Sequence, residues 1–304
     1  MEPPRLRPNP SAPDAPVTPG DASPRQSSRR GGGSAAGPPG LVARRVPVAL
    51  AAAVVGLQIA YPLVSPGPAR DQLTIATVLV FFAASAAHAA IWRGVPFAAA
   101  LVALTGGGGF GIEALGVATG LPFGAYTYAP TLGPALLDVP LIIPLAWTMM
   151  AYPAYVVACR LASTPWVRVP LAGWALTSWD LFLDPQMVEA GHWSWHAGGP
   201  AVLGIPLSNF AGWLLVATAM MAALDAVAAT AESRAGGRIR RVVAGDAAPV
   251  ALYLWVYGSS VLSHAAFFGL PGSAVLGGIG MGAVAIPLTL RLATDARGHE
   301  GARR

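Results

Sequence analysis

The chain has 304 residues, of which 54% are hydrophobic and 11% charged, and a formal net charge of +5. A soluble domain usually carries about 25% charged residues. This composition therefore excludes a soluble globular protein and describes a polytopic membrane protein with no sizeable soluble domain. All 19 basic residues are arginine. The pI near 9.9 raises nucleic acid as a partner, but the positions of the arginines exclude it. The lone Cys159 lies in an apolar run and has no partner for an internal disulfide.

Residues 1–43 are rich in Pro, Gly, Ser and Ala and show no apolar period. Such a segment buries too little to offset chain entropy, and a disordered cytoplasmic tail is expected. No signal-peptide core lies near residue 1, so the first apolar run is expected to be a retained helix.

A transmembrane helix needs about 20 mostly apolar residues. The candidate spans are 46–64, 72–92, 96–117, 137–160, 166–184, 203–228, 249–268 and 272–291. The expected fold is all-α: a transmembrane bundle of about eight spans, seven being the other count, over 44–293. A short basic cytoplasmic tail follows at 294–304. No internal duplication is evident from the sequence. With eight spans and the N-terminus inside, 18 of the 19 arginines fall on the cytoplasmic side, Arg70 being the exception. The positive-inside rule predicts this bias. It implies a multi-pass cell-membrane protein with both termini cytoplasmic. Topology and anionic lipid thus account for the basic pI.

The same topology gathers the acids at the opposite face. Glu113 lies near the outer end of the third span, within a glycine-rich run, Gly106-Gly-Gly-Gly-Phe-Gly-Ile-Glu113. Glycines there invite a helix break or a very close helix contact. Asp138 opens the fourth span. Asp180 and Asp184 share one helix face near the outer end of the fifth, where Pro185 is expected to end the helix. Ionisable groups at membrane depth are costly and mark function by default. Each also has a plainer reading, Glu113 and Asp180 as bonded packing residues and Asp184 as an interfacial one.

Two loops combine turn formers with aromatics, Leu121-Pro-Phe-Gly-Ala-Tyr126-Thr-Tyr128 and Gly191-His-Trp193-Ser-Trp-His196. They read either as an interfacial aromatic belt or as the rim of a groove for an elongated apolar ligand. His192 and His196 flank tryptophans in a loop, and no metal site is expected there. His88 and His264 read as helix-contact residues. Asp225 reads as an interfacial residue near the arginine-rich loop. Asn209 reads as a helix cap or as a group that orients water.

These stretches match a known pattern. Glu113-Ala-Leu-Gly116, Thr119-Gly-Leu-Pro-Phe-Gly-Ala-Tyr126-Thr-Tyr128 and Val139-Pro-Leu-Ile-Ile-Pro144-Leu-Ala-Trp147 form its first part. Trp179-Asp180-Leu-Phe-Leu-Asp184-Pro-Gln-Met187, Trp193-Ser-Trp195 and Gly204-Ile-Pro-Leu-Ser-Asn209-Phe-Ala-Gly-Trp213 form its second. Over about residues 100–215 the chain resembles the membrane carotenoid-biosynthesis hydratases. That family includes the bisanhydrobacterioruberin hydratase and the hydratase of the open end of γ-carotene or lycopene. The resemblance implies addition of water to the terminal double bond of an acyclic (ψ) carotenoid end, giving a tertiary alcohol.

On chemical grounds this needs a protonated carboxyl, a placed water and an apolar groove. Asp180, Asp184 and Glu113 are the candidate catalytic groups. Tyr126, Tyr128, Trp147, Trp179, Trp193 and Asn209 are the candidate substrate-binding groups, with aromatic faces steadying a cation. No metal or cofactor is required. The expected partners are a long apolar carotenoid, membrane lipid and other membrane enzymes of the carotenoid pathway. Two alternative activities are an intramembrane prenyltransferase and a proton-coupled lipid transporter. The first lacks a second Asp-rich motif, and its acids lie opposite nearly all the arginines. The second lacks an inverted repeat.

Overall fold

The computed structural model describes residues 1, 40–196, 198–234 and 245–301. The expected N-terminal tail therefore lies almost wholly outside the described residues, as do Arg238, Arg240 and Arg241. The described chain forms eight helices: α1 (Leu41–Ala60), α2 (Pro68–Arg93), α3 (Val95–Thr119), α4 (Ile142–Leu161), α5 (Pro165–Glu189), α6 (Leu207–Arg234), α7 (Ala247–Ala266) and α8 (Pro271–Gly301). Six of them are long and apolar enough to cross a membrane. The exceptions are α5 and α7. α5 is diluted by Arg168, Thr177, Ser178 and its aspartates, and α7 by tyrosines, serines and His264. The last helix continues through the expected start of the tail, to Gly301.

Local chemistry sets the helix ends. Pro68 and Pro165 lie in first turns, where a missing N–H costs nothing. Arg93 closes α2 at the negative end of its dipole, and Gly94 then turns the chain at φ 93°. α4 is the central post. It packs on α2, α3, α5 and α7, and every residue from Trp147 to Cys159 is buried.

The fourth and sixth helices start later than expected, at Ile142 and Leu207, because short strands precede them. β1 (Tyr126–Tyr128) pairs with β4 (Trp193–Trp195); β2 (Ala135–Leu136) pairs with β3 (Val139–Pro140); β5 (Ala201–Val202) pairs with β6 (Ile205–Pro206). Asp138 lies in the β2–β3 turn at φ 61°, exposed and away from the other acids.

Pro185 does not end its helix, as the sequence reading expected. A proline inside a helix frees the carbonyl four residues earlier, and at membrane depth that carbonyl needs a donor. Here Leu181 O accepts from Ser273 Oγ on α8 at 2.7 Å. Pro153 in α4 is accommodated the same way, with Met149 O accepting from Ser85 Oγ on α2 at 2.8 Å.

The strands also reveal an internal duplication, correcting the expectation of none. Gly133-Pro-Ala-Leu-Leu-Asp-Val-Pro-Leu with Trp147 matches Gly199-Pro-Ala-Val-Leu-Gly-Ile-Pro-Leu with Trp213. Both segments form a two-residue hairpin in the same register. The turn residues all have positive φ: Leu137 and Asp138 in one, Leu203 and Gly204 in the other. Each hairpin is closed by an equivalent bond, Leu141 N to Pro134 O at 2.9 Å and Leu207 N to Pro200 O at 3.0 Å. Gly124-x-Tyr-Thr-Tyr likewise matches Gly191-x-Trp-Ser-Trp. β1 and β4 meet about a local two-fold, with Thr127 opposite Ser194. Ala129 N donates to His192 O and His196 N to Ala125 O, both at 2.8 Å. Two copies of helix–strand–hairpin–helix, α3–α4 and α5–α6, thus run in the same sense. The repeat is parallel, not inverted.

At the other end of the bundle two buried networks join the helices. Arg168 clamps Asp225 in a bidentate pair at 2.7 and 2.9 Å, with Tyr155 donating to the same carboxylate at 3.0 Å. Asp225 is thus a buried partner rather than the expected interfacial residue. Arg93 pairs with Asp246 at 2.8 Å and bonds Tyr152. His88 joins Tyr152 to Gly245 O.

The capped proline carbonyls make a direct prediction. Ser85→Ala and Ser273→Ala should each lower stability by about 1 kcal/mol, read as a lower Tm of the purified protein. Pro153→Ala should make the Ser85 change nearly neutral, because the carbonyl regains its helical donor.

Candidate active site

The site lies between the two repeats, at the stranded end of the bundle. α3 brings Glu113 there through an irregular segment, with one π-helical turn at Val102–Gly107. Such turns recur at functional sites. The glycines then serve close contact. A Cβ on Gly109 would lie 2.9 Å from Trp147 Cγ, and one on Gly116 would lie 2.7 Å from Tyr126 Oη. Bare backbone at these two positions lets an indole and a phenol reach the acid.

Glu113 is 4% exposed and held by three donors. Trp147 Nε1 donates to Oε1 at 3.0 Å; Tyr126 and Tyr128 hydroxyls donate to Oε2 at 2.6 and 2.9 Å. Adjacent strand residues point to opposite faces, so Tyr126 and Tyr128, two apart on β1, face the acid together. Burial, and then the neighbouring Glu113 charge, push both phenol pKa values up. They therefore remain protonated donors throughout the physiological pH range.

Asp180 and Asp184 lie one turn apart on α5, both buried. Asn209, at the start of α6, donates from Nδ2 to Asp180 Oδ2 at 2.8 Å and also to Asp184 Oδ2. Asn209 lies inside its helix, not at the expected cap position, and bridges the two carboxyls. Trp193 Nε1 donates to Asp184 Oδ1 at 3.1 Å. Asp180 Oδ1 is buried with no hydrogen-bond partner among the described residues.

A cavity of about 500 Å³ connects these groups. Glu113, Asp184, Tyr126, Tyr128, Trp147, Trp179, Trp193 and Asn209 all line it, whereas Asp180 lies behind Asp184. Eight of the nine expected site residues thus line one cavity, and the ninth bonds Asn209 in its lining. Among the described lining residues no arginine or histidine occurs. Trp213 belongs to the same wall and was missed. It stacks on Trp147, its counterpart in the other repeat, with centroids 3.9 Å apart and planes at 10°. The repeated Gly-Pro-Ala…Trp pattern was the signal that would have found it. His192 and His196 bond Thr131 and Thr127 separately and do not converge. His88 is the contact residue expected. His264 Nε2 meets Gln186 Oε1 at 3.2 Å, beside the cavity.

Buried carboxyls beside an aromatic-walled cavity, among helices long and apolar enough to cross a membrane, mark the chain as a membrane protein. The chain belongs to the carotenoid biosynthesis protein family, whose model matches residues 73–279. The bisanhydrobacterioruberin hydratase of Haloarcula japonica (strain ATCC 49778 / DSM 6131 / JCM 7785 / NBRC 101032 / NCIMB 13157 / TR-1) is a relative. It is 40% identical over 121 residues, which cover 38% of this chain and 40% of that protein. The match thus spans about two fifths of the curated relative's length. No solved structure matches the chain. Family and relative together support a role in carotenoid biosynthesis.

Gly109→Ala and Gly116→Ala should each cost about 1–3 kcal/mol through overpacking. Both should also shift tryptophan emission, because Trp147 or Tyr126 must leave its place. Unchanged Tm and emission would contradict the close contacts.

Proposed function

We propose that the protein is a carotenoid hydratase, a hydro-lyase that adds water to the terminal trisubstituted double bond of an acyclic (ψ) end group. One observation carries this reading. Glu113, held by three donors, lines the same aromatic cavity as Asp184 and Asn209, which bonds Asp180 as well, in a chain of the carotenoid biosynthesis family.

Two carboxyls sharing one amide donor disfavour double ionisation and keep a proton between them. Asp184, on the cavity wall, donates that proton to the less substituted alkene carbon. The π pair forms the new C–H bond and leaves a tertiary carbocation on the neighbouring carbon. A water oxygen then bonds to that carbon. Its surplus proton passes to Glu113, which releases it to water, and water returns a proton to the aspartate pair. The products are one tertiary alcohol and an unchanged enzyme.

Glu113 suits the basic role. An ionised carboxylate is acceptor-only with about four lone-pair sites, and three donors face it here. Its negative charge and the stacked Trp147–Trp213 faces favour the cation. A prenyltransferase would need cationic partners for a diphosphate, which the described cavity wall does not offer. The arginine bias supports a cell-membrane protein with cytoplasmic termini and the site toward the outer face. Other membrane enzymes of the pathway would supply the apolar substrate.

Expression in cells that accumulate an acyclic carotenoid tests the reading. Wild type should yield pigment heavier by one or two waters. Asp184→Asn and Glu113→Gln should each lower conversion by about 10²-fold or more at equal membrane abundance. Unchanged pigment with wild type in the membrane would refute hydration.

A further inference from the structure

The cavity extends well beyond the acids. It continues between α1, α2 and α7, past Gln58, Thr77 and Gly258. In this arm no charged residue occurs among the described lining residues; Glu113 and Asp184 mark the opposite end. Four residues that line the arm are also at least half exposed: Ile59 (51%), Leu63 (71%), Leu262 (60%) and Phe267 (53%). A cavity whose rim is both apolar and surface-exposed opens toward lipid. The helices that flank this opening, α1 and α7, are joined across it by Trp255 Nε1 donating to Gln58 Oε1 at 2.7 Å.

We propose that this arm is the binding site for the polyene tail, and that the seam between α1 and α7 is the lateral port through which the substrate enters from the bilayer. Naming the occupant a polyene rests on the hydratase reading. The geometry of the arm does not. An elongated molecule whose end group lies at Asp184 extends from the acids along the arm toward its apolar rim. The apolar port gives its tail a path into lipid rather than water. Binding an extended apolar chain gains by area, and an arm without charges has no group to desolvate. The Gln58–Trp255 bond holds the port's edges together. α1 precedes residue 73, where the family match begins, so half of this wall lies outside the matched stretch.

Gly258 offers a clean probe. It is exposed, lines the arm, and a Cβ built there meets nothing within 4 Å. Gly258→Phe therefore adds bulk to the port from a position where a Cβ meets nothing, and Leu262→Trp narrows the same rim one turn further along α7. The full-length protein in lipid nanodiscs is titrated with lycopene, and the visible circular dichroism induced in the bound polyene is followed. Wild type should give a saturable signal, and both variants should weaken apparent affinity at least tenfold with Tm unchanged. The tail site is overturned if wild type induces no signal or if both variants bind as wild type does. It is equally overturned if a saturated acyl chain of similar length displaces lycopene with equal affinity, which would assign the arm to lipid. Polyene binding by wild type with no hydrated product would refute the hydratase reading alone. Hydration by wild type with undiminished binding and conversion by both variants would refute the tail site alone.

Discussion

A carboxyl inside an apolar helical bundle has lost its water, and the fold around it must return what the water supplied. Much of the structure follows from that requirement. Glu113 is met by two phenols and an indole, Asp184 by an indole and an amide, and Asp180 by the same amide. Helices alone do not deliver these donors. Tyr126, Tyr128 and Trp193 come from β1 and β4, which fold back over the bundle end and pair with one another. The glycines of α3 complete the arrangement by removing the side chains that would hold Trp147 and Tyr126 away.

The two ends of the bundle do different work with buried charge. At one end Arg168–Asp225 and Arg93–Asp246 are mutually paired and further bonded by Tyr155 and Tyr152. Pairs satisfied in this way tie helices together without a free group for chemistry. At the other end the acids have no cationic partner among the described wall residues and meet neutral donors beside a cavity. Asp180 and Arg168 are twelve residues apart on α5, about 18 Å along the axis. One helix thus links the ion-paired end of the bundle to the carboxyl cluster beside the cavity.

The duplication explains why the cluster faces itself. Two copies of one unit place an acid, an aromatic strand and a tryptophan on either side of a local two-fold. Trp147 stacks on Trp213 because equivalent positions meet near such an axis. On the 67-residue offset that relates the strands, Glu113 corresponds to Asp180. The second copy has since diverged. It has Asp184 on the cavity wall, and Asn209, bridging two carboxyls, where the first copy has the apolar Ile143. Symmetric ancestry gave convergence, and that asymmetry separates two kinds of carboxyl.

Apolar length and arginine placement were enough to read a multi-helix membrane protein from the sequence. The costly acids, Asp180, Asp184 and Glu113, together with the aromatics of the two loops, pointed to the site residues that share one cavity. These signals are local, because hydropathy and burial cost attach to single residues and short runs. The Pro185 helix end misled, since a proline's effect depends on whether a distant donor such as Ser273 meets the freed carbonyl. The duplication was written in residues 133–147 and 199–213 but diluted by substitution; strand pairing exposed it. Only the tertiary structure decided that Asp184 rather than Asp180 faces the cavity, that Trp213 backs Trp147, and that α1 and α7 open an arm toward lipid. Those facts depend on which surfaces meet across more than sixty residues of chain, and no local pattern encodes them.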